Sequence, residues 1–255
     1  MRITAETLSW AASGKTIIGD IDVEVASGET VGIIGPNGSG KSTLLRCLAG
    51  LRAPTTGRVR YDGEDIDGWG PRRIAHRLAF VEQAADTDSD LRLGDVVALG
   101  RTPFRQQWRG LDGVDHAVID AALAITDLTT LRGRAWNTLS GGERQRAHIA
   151  RALAQQPWAI LLDEPTNHLD IKHQLELMAL LAGTEQTVLV SLHDLALAAK
   201  YCDRLIMLHN GHVAAAGDPA EVLTPAWLAE VFEVEAETGR DRHGDLVVGY
   251  RSVVG

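Results

Sequence analysis

Residues 30–45 read Thr30-Val31-Gly32-Ile33-Ile34-Gly35-Pro36-Asn37-Gly38-Ser39-Gly40-Lys41-Ser42-Thr43-Leu44-Leu45. An apolar, strand-like run meets a glycine-rich turn, and the turn opens a second apolar run with helical spacing. A strand over 30–34 and a helix from about Lys41 to Ala49, stopped by Gly50, are therefore expected. Between them Gly35–Thr43 fits the pattern Gly-x-x-x-x-Gly-Lys-Ser. Its glycines let backbone N–H groups turn inward around phosphate oxygens, and the positive end of the following helix faces the same anion. Lys41 would reach the β- and γ-phosphates and Ser42 an Mg²⁺ ion, so the chain is expected to bind a nucleotide.

Outward from this stretch, residues 2–9 and 16–25 predict strands, the second alternating Ile17, Ile21, Val23 and Val25 with polar neighbours. A hairpin is expected around Val59 and Tyr61, and a short strand over 77–83. From Ala84 to about Trp136 a polar loop gives way to helical patterns at 93–99 and 114–126, which reads as a helical insert. Ala159–Leu162 and Thr187–Ser191 are continuously apolar, as central parallel strands covered on both faces must be. Ile171, Leu175, Met178 and Leu181 recur between them at helical spacing, so a right-handed βαβ unit joins the two strands. Asn210-Gly211 signals a two-residue hairpin. Short helices follow at 219–224 and 226–232, and the tail closes in a hairpin whose second strand contains Val247 and Val248.

The 255 residues are 45% hydrophobic and 23% charged, a composition that buries a large core rather than remaining disordered. Apolar runs such as Trp158–Leu162 fall far short of the ~18–20 residues that cross a bilayer. Arg2 and a polar segment follow Met1, so no export signal is expected and a cytoplasmic protein fits best. Cys47 and Cys202 sit in separate apolar helical segments and predict buried thiols rather than a disulfide. A formal charge of −9 argues against a general nucleic-acid surface.

Two further motifs supply what the phosphate loop lacks. Leu162-Asp163-Glu164 ends an apolar strand at the edge where open α/β sheets bind ligands. Asp163 is the expected metal partner and Glu164 the base that handles water. Leu139-Ser140-Gly141-Gly142-Glu143 precedes a helix over 144–156. Ser140 and Glu143 have capping-box spacing, yet two glycines each cost roughly 1 kcal/mol inside a helix, a cost that close approach of a phosphate would offset.

In this combination and order, the motifs resemble those of ABC-transporter ATPases, and the similarity runs through the whole chain. The resemblance implies an α/β P-loop NTPase core with an antiparallel β-subdomain, built from residues 1–83 and 157–255, and a helical subdomain over 84–156 carrying the signature. It implies ATP with Mg²⁺ as cofactors. By the same resemblance Gln83 matches the glutamine loop, a catalytic and magnesium-contacting position, Asp170 matches the aspartate loop, and His193 the switch histidine at the γ-phosphate. Such ATPases stack adenine on an aromatic residue where this chain has Ala12. Trp10 shares a face with that position if the segment stays extended, and either supplies the ring or serves as a core tryptophan.

The resemblance further implies a head-to-tail homodimer with two ATP molecules, each between Lys41 of one copy and Ser140–Gly142 of the other. Without a channel of its own, the chain requires transmembrane permease subunits docking on the insert near Gln83, at the cytoplasmic membrane face, and indirectly a substrate-binding protein. Leu99-Gly100-Arg101-Thr102-Pro103 and the run from Asn167 to Gln174 look like importers for iron-siderophores, haem and vitamin B12. Ferric siderophore import is the favoured expectation, with haem or vitamin B12 import, export, or soluble action on ribosomes or DNA as alternatives. One phosphate loop and no sustained heptad weigh against the last.

Overall fold

The computed structural model describes residues 1–82, 90–105, 110–167 and 169–254. Gln83, the polar run at 84–89 and His168 lie outside them.

The chain starts with a long hairpin of β1 (Ile3–Ala12) and β2 (Lys15–Val25). Next come β3 (Thr30–Ile34), buried at every position, and α1 (Lys41–Leu48). β4 (Thr56–Tyr61) pairs with β1 and the short β5 (Glu64–Asp65) with β4, completing a four-stranded antiparallel sheet in the order β2-β1-β4-β5. A one-turn helix, α2 (Pro71–Ala75), leads into β6 (Leu78–Val81). Sequence reasoning extended that strand at both ends and did not foresee the helix, whose five residues are too few for a visible period.

Three helices follow: α3 (Leu93–Ala98), α4 (Gly113–Ile125) and α5 (Gly141–Ala154). They enclose their own apolar cluster of Leu93, Val96, Val97, Ile119, Leu123, Trp136 and Ala150. Ile149 and Ala152 of α5 also enter the central core, so this helix ties the cluster to the sheet. It starts at Gly141, three residues earlier than expected, because the Ser140–Glu143 capping box closes.

β7 (Ala159–Leu162), α6 (Ile171–Ala182) and β8 (Thr187–Ser191) form the expected βαβ unit. α7 (Leu195–Tyr201) leads to β9 (Arg204–His209) and β10 (His212–Gly217), joined through Asn210 and Gly211 at positive φ. α8 (Pro219–Val222), α9 (Pro225–Phe232) and a hairpin of β11 (Val234–Arg240) and β12 (Leu246–Val253) complete the fold.

The central sheet has the order β10-β9-β3-β8-β7-β6, with β10 alone antiparallel to its neighbour. Parallel strands expose their carboxyl ends along one edge, and β3, β6, β7 and β8 deliver Gly35, Glu82, Asp163 and Leu192 there. Cys47 and Cys202 are buried and free, and burial pushes their thiols up to about 11 and about 12.

Candidate functional site

The loop between β3 and α1 is shaped by residues that no side-chain-bearing alternative fits. Gly35 has φ 148°, and a Cβ there would stand 2.3 Å from the Leu208 carbonyl oxygen. Lys41 turns back under the loop, its ammonium donating to the carbonyls of Gly35 at 2.8 Å and Pro36 at 3.1 Å. Burial lowers the Lys41 pKa, opposed by the nearby carboxylates of Glu164 and Asp163. The first turn of α1 has no side-chain cap, so its orphan N–H groups face the loop.

Ser39 Oγ is buried without a hydrogen-bond partner among the described residues. An orphaned hydroxyl, a constrained glycine loop, an uncapped helix start and a lysine beneath it are the donor set a nucleotide's phosphates require. The residues present therefore fit that group.

Opposite the loop, Ser42 Oγ donates to Asp163 Oδ1 at 2.8 Å. Ser191 Oγ, from the end of β8, donates to the same oxygen at 3.0 Å and accepts the Glu164 backbone N–H at 2.7 Å. Asp163 is only 3% exposed, and its Oδ2 receives no hydrogen bond from a described residue. A hydroxyl and a buried carboxylate with one uncommitted oxygen form a hard oxygen donor pair, which suits Mg²⁺.

Glu164 adopts φ 49°, a strained backbone for a residue with a side chain. Its carboxylate is held at both ends: Oε1 lies 2.5 Å from His193 Nε2, and Oε2 accepts from Asn167 Nδ2 at 2.7 Å. A carboxylate so oriented beside an imidazole can take a proton from water and keep the orientation while doing so. The structure thus brings Lys41, Ser42, Asp163, Glu164 and His193 together. Sequence reasoning gives neither Ser191 nor Asn167 a place in the site: Asn167 enters it only as part of the run to Gln174, and Ser191 reaches Asp163 only through the pairing of neighbouring strands.

The Ser140–Glu143 segment lies at the start of α5. Ser140 Oγ accepts the Glu143 N–H at 3.2 Å, and the Ser140 N–H donates to Glu143 Oε2 at 2.7 Å. Neither glycine is required by a described residue. A Cβ at Gly141 would meet no atom within 4 Å, and one at Gly142 would make ordinary contact with the His173 ring at 3.4 Å. Asp170 caps α6 through the His173 N–H at 2.9 Å and holds the His173 ring at 2.7 Å.

Trp10 stands opposite Ile18 across the β1–β2 pair, and an irregularity between Trp10 and Ala11 interrupts the alternation that would align residues 10 and 12. Its half-buried ring packs against the core and carries the Arg52 guanidinium 4.3 Å from its centroid.

The segment Leu99–Pro103, expected to mark a transport subgroup, performs a packing task. Gly100 abuts the Arg151 carbonyl of α5, where a Cβ would stand at 2.2 Å. Arg101 is buried; its Nε donates to Asp115 at 2.8 Å and its Nη1 to Ala154 O and Gln156 Oε1, both at 2.9 Å.

Comparison with known proteins follows the same lines. A family model described as ABC transporter matches residues 18–167. The hemin import ATP-binding protein HmuV of Rhodopseudomonas palustris (strain HaA2) is 39% identical over 257 residues, covering 96% of this chain and 96% of that protein. The cobalamin import ATP-binding protein BtuD of Halobacterium salinarum is 40% identical over 245 residues, covering 94% of this chain and 61% of that longer protein. A bacterial ABC transporter cassette solved in dimeric form superposes with a TM-score of 0.75 at 29% identity, covering 85% of this chain and 98% of that one. An inward-facing ABC transporter of metal-chelate type shares the fold at a TM-score of 0.84 and 24% identity, covering 98% of this chain and 97% of that one.

Proposed function

This chain belongs to the ABC transporter ATP-binding family, and from that premise we propose that it is the ATP-hydrolysing subunit of an importer for a metal chelate. The observation that carries the reading is the unbroken hydrogen-bonded set from Ser42 through Asp163 and Ser191 to Glu164 and His193. ATP supplies the phosphoanhydride to be cleaved, and Mg²⁺ would neutralise charge on its oxygens.

In this reading the loop residues Gly35, Pro36, Asn37, Gly38, Ser39, Gly40 and Thr43 surround the phosphates with Lys41 beneath them. Ser42 and Asp163 hold Mg²⁺. Glu164 removes a proton from the attacking water, and His193 fixes the Glu164 carboxylate while facing the terminal phosphate. Gln83 keeps its proposed role at the metal, and Trp10 its proposed role at adenine on the ring face that Arg52 does not cover.

Gly141 and Gly142 support the composite site. No described residue needs either position to lack a side chain, so the bare backbone there serves an approach from outside the chain. A second copy bringing its phosphates to Ser140–Gly142 accounts for both glycines and makes the working unit a homodimer. Described residues include no helix long and apolar enough to cross a membrane, so transport needs permease subunits, which we place at the helical insert.

Cargo is the least local property of such a subunit, since the chelate passes through other chains. The near-full-length likeness to HmuV, with that to BtuD, supports haem or cobalamin. Leu99–Pro103, read as common to siderophore, haem and vitamin B12 importers, does not separate these cargoes, and its observed contacts are internal packing. Co-purification from membranes tests the assignment: a multi-span permease and a binding protein for a metal chelate should accompany the chain. Recovery with ribosomes, DNA or an exporter would refute it.

A further inference from the structure

We infer that Arg46 is a positioning residue for the metal, a counter-charge shared between Glu82 and the uncommitted side of Asp163 that withdraws fully onto Glu82 when a divalent cation arrives. The inference rests on the metal assignment proposed above. Arg46 lies four residues after Ser42 on α1, one turn along the same helix face. Its Nη2 is 3.9 Å from Asp163 Oδ2, beyond hydrogen-bond range, and 3.6 Å from Glu82 Oε1.

The two oxygens of Asp163 are therefore treated differently. Oδ1 takes the hydroxyls of Ser42 and Ser191, whereas Oδ2 accepts no hydrogen bond from a described residue and has the Arg46 guanidinium at 3.9 Å. A buried carboxylate left so is poised for a cation, and the guanidinium screens it without saturating it. A dication at Oδ2 and Ser42 Oγ would repel Arg46 with twice the force of a monovalent ion, and Glu82 offers the guanidinium a second anion within reach.

Glu82 follows β6 at the sheet edge and also raises the pKa of Arg151 on α5, against the lowering by burial. Moving Arg46 onto Glu82 thus changes the charge balance between the metal site and the helix that begins at Gly141.

Manganese is the probe, titrated by electron paramagnetic resonance into the full chain saturated with a non-hydrolysable ATP analogue. Arg46→Met should bind Mn²⁺ about tenfold more tightly, because a repelling charge beside the ion is gone. Glu82→Gln should weaken Mn²⁺ binding several-fold, since Arg46 loses its alternative partner, and should have no further effect when added to Arg46→Met. Arg46→Lys should restore affinity close to that of the unaltered protein. Metal-free nucleotide affinity within about twofold in each variant would confirm an intact loop.

Unchanged or weaker Mn²⁺ binding in Arg46→Met overturns the inference, as does an equal effect of Glu82→Gln in both backgrounds. Asp163→Asn separates the two levels. If it leaves Mn²⁺ affinity unaltered, the metal assignment itself fails and takes the role of Arg46 with it.

Discussion

Replacing Arg101 with methionine should be the most destabilising single change in the helical insert. Methionine keeps most of the apolar stem but removes the hydrogen bonds to Asp115, Ala154 O and Gln156. It also removes the guanidinium 4.1 Å above the Phe104 ring. The Asp115 side chain, 12% exposed, then loses its charged partner and keeps the Asp112 N–H. Breaking one side of a buried ion pair costs about 3–5 kcal/mol, a large part of the roughly 5–15 kcal/mol that holds a domain folded. Urea unfolding at neutral pH, followed by circular dichroism, measures the loss directly.

Two controls sharpen this prediction. Arg101→Met with Asp115→Leu leaves no buried charge and should recover most of the stability. The Arg101 hydrogen bond also holds the Asp115 carboxyl below its usual range. Stability from a lowered carboxylate pKa is present above the unfolded value of about 3.9 and lost as pH falls through the folded one, so the gap between variant and parent should narrow in acid. A loss under about 1 kcal/mol, or a double variant less stable than the single one, would refute the reasoning.

Burial foremost, then Arg151, pushes the His148 imidazole down to about 4, so the folded state keeps it neutral while the unfolded chain protonates near 6.5. Stability should therefore fall by on the order of 3 kcal/mol as pH drops through that window, and His148→Leu should flatten the slope; an unaltered slope would contradict this origin. Lys41→Ala should weaken nucleotide binding by the single chain. Ser140→Ala should leave that binding intact and impair the ATP-bound dimer, at about 1 kcal/mol of helix stability for the lost cap; equal loss of binding in both variants would contradict the composite site. Glu164→Gln should bind Mg-ATP normally yet turn over roughly two or more orders of magnitude more slowly, and near-normal phosphate release would exclude Glu164 as the base.

Much of this was legible because the informative stretches obey local rules. The loop at 35–43, the buried strand ending at Leu162 and the Asn210-Gly211 turn each carry their geometry in adjacent residues. What stayed illegible depends on register and tertiary contact. The irregularity at Trp10 comes from pairing with β2, and the hydroxyl of Ser191 reaches Asp163 only because β7 and β8 are neighbours. Arg101 shows the same limit: in sequence it resembles part of a transport signature, whereas in the fold its partners lie 14 to 55 residues away. Gly141 and Gly142 are the converse case, where a sequence oddity became more informative once the structure showed that no described residue requires it.

The account is tested most directly by transport itself. The protein should be reconstituted with its co-purifying permease in vesicles, ATP supplied on the side of this subunit, and a metal chelate offered with its binding protein on the other. Chelate should accumulate on the ATP side, hydrolysis should rise when the binding protein is loaded, and Glu164→Gln should stop sustained movement without preventing assembly. Movement in the opposite sense, or accumulation that persists with Glu164→Gln, would contradict an importer driven by this site.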